Sequence, residues 1–228
     1  MRRGSRRVTG CCGARCRRSR YRSWRTASRS SWTCAPDRRP DITSINVTTG
    51  GPGRRVADVC CYTGGFTLPC LRAGAESVAA VDVSQRALAL AAANARANGL
   101  DDGRVRFEAA DAFRWLEARV EAGGTFELLI LDPLRFARSA RGVAGALRGY
   151  RRLNELAVQC LAPRGLLVTC SCTGRVGREM FESVLGEVEV AAGRRIRILE
   201  RRGQAGDHPV SPACPETSYL KCLICEMD

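Results

Sequence analysis

From about residue 54 onward, the sequence alternates short, continuous apolar runs with longer stretches rich in alanine and leucine. The apolar runs are typical of strands buried on both faces, and the longer stretches are typical of helices. Strict alternation of the two predicts an α/β fold, a mostly parallel seven-stranded sheet with helices on both faces. The predicted strands span 56–61, 77–81, 105–109, 126–131, 166–170, 195–200 and 219–225, and the predicted helices 66–73, 84–98, 112–121, 144–161 and 179–190.

Residues 1–45 lack both the strand period and the helix period. The first 40 residues hold 13 arginines and one acid, Asp37, and so carry +12 of the net charge of +14. We expect this segment to be disordered by itself and separate from a domain over 46–228. Three interpretations are open: an organelle transit peptide, a basic arm that binds RNA, or non-native sequence from a shifted reading frame. The mixture of Trp24, Trp32 and cysteines with arginine favours the last.

The remaining residues are nearly neutral, so composition alone does not predict that they bind nucleic acid. No apolar run reaches the roughly 18 to 20 residues of a membrane helix, and the first residues lack the apolar core of a signal peptide. We therefore expect no membrane partner and a cytoplasmic protein, or an organellar one if the first segment is a transit peptide. The cysteines are then free thiols, and the lone Cys222-Leu-Ile-Cys225 pair predicts buried core residues rather than a metal site.

Acidic residues and a glycine turn follow successive predicted strands. A carboxylate such as Asp82, about 20 residues beyond the first strand, is placed to accept hydrogen bonds from ribose hydroxyls. The turn at Gly64-Gly65 lacks the third glycine of a pyrophosphate loop, which favours S-adenosylmethionine, a cofactor with a ribose but no phosphate. Each acid alone is more typical of a helix cap, but several at successive strand ends favour a cofactor site. The predicted cofactor residues are Asp58, Tyr62, Gly64, Gly65, Asp82, Ser84, Asp111, Ala112 and Phe113.

An acid and a thiol follow the next two strands. Asp132 comes directly after the fourth strand, and Cys172 follows the fifth, flanked by Ser171 and Thr173. Methylation of cytosine C5 requires a thiolate that adds to C6 while an acid holds or protonates N3, which is covalent catalysis by a nucleophile. Cys172 suits the nucleophile and Asp132 the acid, whereas Cys170 lies inside the apolar run and is expected to be a core residue.

Six segments of the predicted domain form a recognisable set. They are Val59-Cys-Cys-Tyr-Thr-Gly-Gly-Phe66, Val81-Asp-Val-Ser84, Asp132-Pro-Leu-Arg-Phe136, Arg148-Gly-Tyr150, Ser171-Cys-Thr-Gly174 and Asp207-His-Pro-Val210. Together they resemble the catalytic domain of bacterial large-subunit rRNA (cytosine-5) methyltransferases, the RlmI-like family. The resemblance covers about residues 54–228 and implies a Rossmann-like class I methyltransferase fold, a large-subunit rRNA substrate, Cys172 as nucleophile, and Asp58, Asp82, Asp111 and Asp132 as cofactor-side or catalytic acids.

The sequence departs from the family in two places. Leu134 stands where the family has a second proline, and nothing in 1–53 resembles the family's RNA-binding PUA domain or its connecting domain. Two alternatives therefore remain: a methyltransferase for another acceptor, such as a guanine nitrogen in rRNA, and an inactive fragment that associates with RNA. Two smaller questions are open as well. The Arg148–Arg152 cluster either binds phosphate and stacks a base on Tyr150 or forms the solvated start of a helix. His208 is expected to anchor a loop through a hydrogen bond, with Asp207 as its neighbour.

Overall fold

The alternating pattern folds into one seven-stranded sheet. The computed structural model describes residues 52–137, 139–204 and 208–228. The strands are β1 (Arg55–Val59), β2 (Ser77–Asp82), β3 (Val105–Ala109), β4 (Phe126–Leu131), β5 (Leu161–Ser171), β6 (Ile196–Arg202) and β7 (Lys221–Met227). The α-helices among the described residues are α1 (Thr67–Arg72), α2 (Gln85–Ala97), α3 (Ala112–Glu121), α4 (Val143–Gln159) and α5 (Arg178–Ala192). The predicted fold class is confirmed, and every predicted strand and helix is present; β3, β4 and α3 have the predicted bounds, and the other elements have shifted ends.

The strand order is β3-β2-β1-β4-β5-β7-β6. Neighbouring strands among β1–β5 are parallel, whereas β7 pairs antiparallel with both β5 and β6. The alternation of strands and helices predicts parallel pairing but misses this reversal. No α-helix lies between β6 and β7 among the described residues, and a connection without a crossover helix favours an antiparallel neighbour.

Helices cover the two faces of the sheet unequally. On one face α3, α4 and α5 pack over the larger apolar cluster, which includes Leu129, Tyr150 and Phe181. On the other face α1 contributes Cys70, and the turn before it Phe66, to a second cluster. Both clusters bury large side chains almost completely. Burial of each such side chain stabilises the folded state by about 1.5 to 3 kcal/mol, so the sheet is a rigid platform.

The last strand tests the predicted core cysteines. Cys222 and Cys225 are both buried free thiols, as predicted. They belong to different apolar clusters on opposite faces of the sheet, because residues three apart in a strand point to opposite sides. The two sulfurs therefore cannot hold one metal ion together.

The carboxyl ends of β1–β5 lie along one edge of the sheet. The strand order reverses between β1 and β4, and ligands of open α/β sheets bind in the crevice at such a point. Adjacent strands lie roughly 4.8 Å apart, so the span from β3 to β5 is about 19 Å. This edge can accommodate an extended cofactor and an acceptor side by side.

The arginine-rich segment 1–45 and the boundary at residue 46 lie outside the described residues. Within the part of the chain that the structure does describe, the helices are too short or too polar to cross a membrane.

Candidate active site

The turn between β1 and α1 is held in an unusual backbone conformation. Cys60, Tyr62 and Gly64 have φ angles of 66°, 50° and 89°, so three alternate residues are left-handed. A side chain in this region costs roughly 1 to 2 kcal/mol, and such strain is often found at ligand-binding sites. Glycine is favoured at position 64 by its φ of 89° and not by a lack of space, because a Cβ atom there would make only an ordinary contact, 3.4 Å from the Cβ of Ala91. Cys60 and Tyr62 were not recognisable from sequence as left-handed, since neither is glycine or asparagine.

Asp58 supports this turn from inside the protein. Its side chain is fully buried, and Oδ2 accepts a hydrogen bond of 2.6 Å from the hydroxyl of Thr67 in α1. The carboxylate therefore ties the start of α1 to β1. The structure gives Asp58 a supporting place under the turn, and its predicted direct contact with a cofactor stays a prediction.

Asp82 joins the ends of β1 and β2. Its Oδ2 accepts a hydrogen bond of 3.0 Å from the backbone N–H of Tyr62, and Oδ1 accepts one of 2.8 Å from the backbone N–H of Ser84. Each carboxylate oxygen has a second lone pair, so both oxygens remain able to accept from a ligand. The Tyr62 side chain is about half exposed beside this carboxylate, and Gly65 follows in the same turn.

Two predicted site residues are also helix caps. Ser84 caps α2, where its hydroxyl accepts from the backbone N–H of Ala87, as the sequence predicts. Asp111 caps α3, where Oδ1 accepts from the N–H groups of Phe113 and Arg114. The other oxygen of Asp111 accepts no hydrogen bond from the residues that the structure describes, and the side chain is exposed. Capping therefore leaves one oxygen of Asp111 available at the end of β3.

Cys172 lies against the segment that follows β4. Its thiol donates to the carbonyl oxygen of Pro133 at 3.8 Å, and the backbone N–H of Asp132 donates to the carbonyl oxygen of Val59 in β1 at 3.2 Å. The predicted neighbours Asp132 and Cys172 are thus brought to one place, next to the β1 turn. Cys172 is half-buried, whereas Cys170 is fully buried in β5, as predicted.

The surroundings of Cys172 decide how easily it ionises. Burial raises the pKa of the Cys172 thiol, and the Asp132 carboxylate raises it further. Two cations, Arg135 and Lys221, act in the opposite direction. Burial is the largest of these effects, so the resting thiol holds its proton at neutral pH, and its reactivity depends on the neighbouring cations.

An aromatic row runs behind the thiol. The ring of Phe136 packs edge-on to Tyr150 with centroids 4.7 Å apart, and Tyr150 packs edge-on to Phe181 at 5.2 Å. The ring of Phe136 also lies 6.4 Å from Phe113, while Leu134 is 82% exposed beside this row. The row links α3, α4 and α5 behind the reacting groups.

Tyr150 is not a base-stacking residue, so that interpretation of the arginine cluster is wrong. Its side chain is fully buried within α4, and its hydroxyl lies 2.9 Å from the Thr173 hydroxyl. The adjacent Arg151 and Arg152 are exposed but pair with carboxylates of Glu155, Glu187 and Glu117. The cluster lies inside α4, not at its start, and these two arginines are neutralised by acids. His208 is half-buried in a loop, and its expected neighbour Asp207 lies outside the described residues.

Sequence reasoning missed Lys221. It pairs with Ser171 across β5 and β7, is 5% exposed, and donates hydrogen bonds of 2.8 Å to the carbonyl oxygens of Thr173 and Tyr219. Burial lowers its pKa to about 8. Only the composition of the sequence could have drawn attention to this residue, because Lys221 is the only lysine among 37 basic residues.

Strand order, glycine turn and acidic strand ends define a class I methyltransferase, and known proteins agree. The sequence profile of the S-adenosylmethionine-dependent methyltransferases matches residues 42–223, so the chain belongs to that family. Over 172 residues it is 44% identical to the ribosomal RNA large subunit methyltransferase I of Aeromonas hydrophila, and over 171 residues 45% identical to that of Tolumonas auensis. These matches confirm the predicted resemblance to large-subunit rRNA methyltransferases. Each covers 75% of this chain but 43% of the relative, so the chain spans less than half the length of these relatives.

A solved structure shares the fold. SMU.776, described as a methyltransferase complexed with SAH, superposes with a TM-score of 0.70 at 22% identity, covering 79% of this chain and 47% of that one. At this identity the likeness concerns the fold alone.

S-adenosylmethionine is the cofactor of the family, as the sequence predicts, and the site chemistry suits it. The ribose hydroxyls and the adenine amino group are donors, and the acidic ends of β2 and β3 offer carboxylate acceptors in Asp82 and Asp111.

Proposed function

We propose that the chain is the catalytic domain of an rRNA methyltransferase that modifies cytosine C5 in the large ribosomal subunit through a covalent adduct on Cys172. The observation that carries the proposal is the contact of the Cys172 thiol with the backbone of Pro133, directly after Asp132. A nucleophile and an acid therefore stand together beside the cofactor turn. The rRNA substrate is proposed from the names of relatives at 44% and 45% identity.

Cys172 and Asp132 act on different atoms of the cytosine base. The Cys172 thiolate attacks C6, so an S–C6 bond forms and the electron pair of the C5–C6 double bond moves toward C5 and the ring. Asp132 in its protonated form donates to N3 and stabilises the negative charge that develops there. C5 then takes the methyl group, with S-adenosylhomocysteine as the leaving group. A base accepts the C5 proton, and the electron pair of the C5–H bond restores the C5–C6 double bond as the S–C6 bond breaks to release the Cys172 thiolate. N3 returns its proton to Asp132.

The cofactor is held by the ends of β1, β2 and β3. When bound, S-adenosylmethionine supplies an electrophilic methyl group. Asp82 accepts from the ribose hydroxyls, and the free oxygen of Asp111 accepts from the adenine amino group beside Ala112 and Phe113. Asp58, fully buried under the turn, accepts from the Thr67 hydroxyl and so holds the start of α1, which follows Gly64 and Gly65.

A covalent trap tests the thiol. RNA that carries 5-fluorocytosine should remain attached to Cys172, because fluorine does not leave as the C5 proton does. The experiment uses a high concentration of an rRNA fragment with the full chain and S-adenosylmethionine, and the adduct is located by peptide mass spectrometry. An adduct on Cys172 supports the proposal, whereas methylation of C5 without any thiol adduct overturns it.

Two cysteine variants provide a matched pair. Cys172→Ser should abolish trapping, since a serine hydroxyl is scarcely ionised at neutral pH. Cys170→Ser should leave trapping intact and lower stability, because it puts a hydroxyl into the core. Cofactor binding should survive both substitutions. Trapping on Cys170 would mean that the other sulfur is the nucleophile.

The same experiment separates the alternatives. Methylation of a guanine nitrogen needs no thiol, so Cys172→Ser would then keep its activity. An inactive fragment would bind S-adenosylmethionine and associate with RNA but transfer no methyl group to the rRNA fragment. The half-buried thiol beside Asp132 favours the cytosine reaction over both.

A further inference from the structure

One buried cation lies beside the proposed nucleophile, and the chemistry described so far does not use it. The chain uses arginine for every basic residue except Lys221. That residue is 5% exposed, whereas most arginines that form ion pairs in the described part of the chain keep substantial exposure. At this buried position the basic group is a compact ammonium with three donors rather than a planar guanidinium with five.

Hydrogen bonds fix the position of this ammonium group. Nζ donates to the carbonyl oxygens of Thr173 and Tyr219, both at 2.8 Å, which accounts for two of its three N–H groups. Thr173 directly follows Cys172, and Ser171, which directly precedes it, is the strand partner of Lys221. Lys221 is therefore connected to the residues on both sides of the thiol.

We propose that Lys221 is a positioning residue for the methyl-transfer reaction: its ammonium group anchors the turn after Cys172 through the Thr173 carbonyl and holds a positive charge that stabilises the Cys172 thiolate. This inference rests on the proposed role of Cys172 as nucleophile. It adds a group on β7 to a site otherwise built from β1–β5.

Charges on several elements face the thiol and the ammonium. Around Cys172, burial and Asp132 oppose ionisation, and Arg135 and Lys221 favour it. Burial raises the pKa of the nearby Tyr150, and Cys172 and Asp132 add to this effect. Around Lys221, burial lowers the pKa to about 8, Arg178 also lowers it, and Cys172 raises it. Lys221 is thus mostly protonated at pH 7, and its charge and that of the Cys172 thiolate support each other.

The two cations near the thiol differ in their access to solvent. Arg135 is exposed, so dissolved salt screens its charge, with a Debye length of about 10 Å at 0.1 M and 3 Å at 1 M. Lys221 is buried and is screened much less. The effect of Lys221 on the thiol should therefore persist in high salt, where that of Arg135 fades.

Thiol alkylation measures this effect without any methyl transfer. The full chain is treated with iodoacetamide between pH 6 and 10, and the rate at Cys172 is followed by mass spectrometry of the peptide that contains it. Lys221→Met removes the charge and keeps an unbranched side chain. We expect the apparent pKa of Cys172 to rise and the rate at pH 7.5 to fall about two- to threefold, because Lys221 has a smaller effect on the thiol than Arg135 has.

Arginine variants serve as matched controls. Arg175→Gln removes an exposed positive charge three residues from Cys172 and should leave the alkylation profile unchanged. Arg135→Gln should slow alkylation at low salt only. A purely structural role for Lys221 would lower the melting temperature of Lys221→Met without moving the thiol profile, and that outcome would overturn the inference.

A second measurement covers the case in which Lys221→Met does not fold. Because the chain has one lysine, labelling with ¹³C at lysine Cε gives a single native resonance that reports its titration. Coupling between two charges is reciprocal, so Cys172→Asp, which puts a lasting negative charge at this position, should raise the titration midpoint of this resonance relative to Cys172→Ser. An identical midpoint in the two variants would contradict the proposed pairing of charges.

Failure of this inference can be told apart from failure of the proposed function. If Cys172→Ser abolishes trapping and methylation while Lys221→Met leaves the thiol profile unchanged, Cys172 remains the nucleophile and the role of Lys221 is rejected. If Cys172→Ser methylates normally, the proposed function is rejected, and the inference that rests on it falls as well.

Discussion

Asp82→Ala removes two hydrogen bonds of the free protein, and it also removes the hydrogen bonds that the ribose hydroxyls of the cofactor would donate to Asp82. In the free protein it removes acceptors for the N–H groups of Tyr62 and Ser84, at 3.0 and 2.8 Å. The Tyr62 side chain is about half exposed, so water can reach this part of the turn, and we expect a loss of only about 0.5 to 1.5 kcal/mol of stability per bond. The protein should therefore stay folded.

The larger effect falls on cofactor binding. Hydrogen bonds from the ribose hydroxyls to a carboxylate are charge-assisted and contribute about 1.5 to 3 kcal/mol. Their loss should weaken S-adenosylmethionine binding by roughly 10- to 150-fold. Asp82→Asn should fall between wild type and alanine, because its amide keeps one oxygen acceptor but presents N–H donors where the second oxygen stood.

Isothermal titration calorimetry with S-adenosylmethionine gives the dissociation constants, and thermal melting verifies folding. Asp102→Ala is the matched control: it removes an exposed carboxylate that pairs with Arg104, between α2 and β3 and away from the carboxyl edge of the sheet. It should leave the affinity unchanged. If Asp82→Ala stays folded and binds the cofactor as tightly as wild type, Asp82 is not a ribose ligand.

Three further predictions concern stability. Thr67→Val should destabilise the fold by about 1 to 3 kcal/mol in denaturant unfolding, because the buried Asp58 carboxylate loses the hydrogen bond from the Thr67 hydroxyl. An unchanged denaturation midpoint would show that Asp58 does not support the turn. Tyr150→Phe should cost about 1 kcal/mol through the lost contact with Thr173, and a stabilised variant would contradict this. Burial raises the pKa of the Cys70 and Cys225 thiols to about 12 from an ordinary 9.0, so the unfolded chain releases protons first as pH rises. These thiols therefore contribute fully to the free energy of unfolding below pH 9. Between pH 9 and pH 12 the contribution of each thiol falls by about 1.4 kcal/mol per pH unit, and Cys225→Ala should remove one thiol's share of this slope.

The sequence predicted the elements of the fold better than their pairing. The periods of apolar residues follow directly from burial, so all seven strands were recognisable. The direction of β7 depends on how the chain returns from β6, which no local pattern in Lys221–Met227 encodes. Similarly, β5 begins at Leu161, five residues earlier than predicted, because Leu161 pairs with Phe126 across a break in the register.

The site was predictable where residue type determines the chemistry. Asp132 and Cys172 follow neighbouring strands, and the parallel order of β4 and β5 brings them together. Lys221 was missed because it belongs to an apolar strand far along the chain, and its proximity to the thiol arises from the antiparallel pairing. Tyr150 was misjudged because an aromatic residue beside arginines can face RNA or the core, and only the packing of α4 decides between them.

The placement of β7 between β5 and β6 affects how the protein can fold during synthesis. β6 pairs with β7 and with no other described strand, so when β6 leaves the ribosome it has no partner in the sheet. Until β7 follows, the nascent sheet ends at β5, whose open edge is a template for wrong pairing with other chains. In the interval when β6 has left the ribosome and β7 has not, the nascent sheet is therefore limited to five strands, with the edge of β5 exposed.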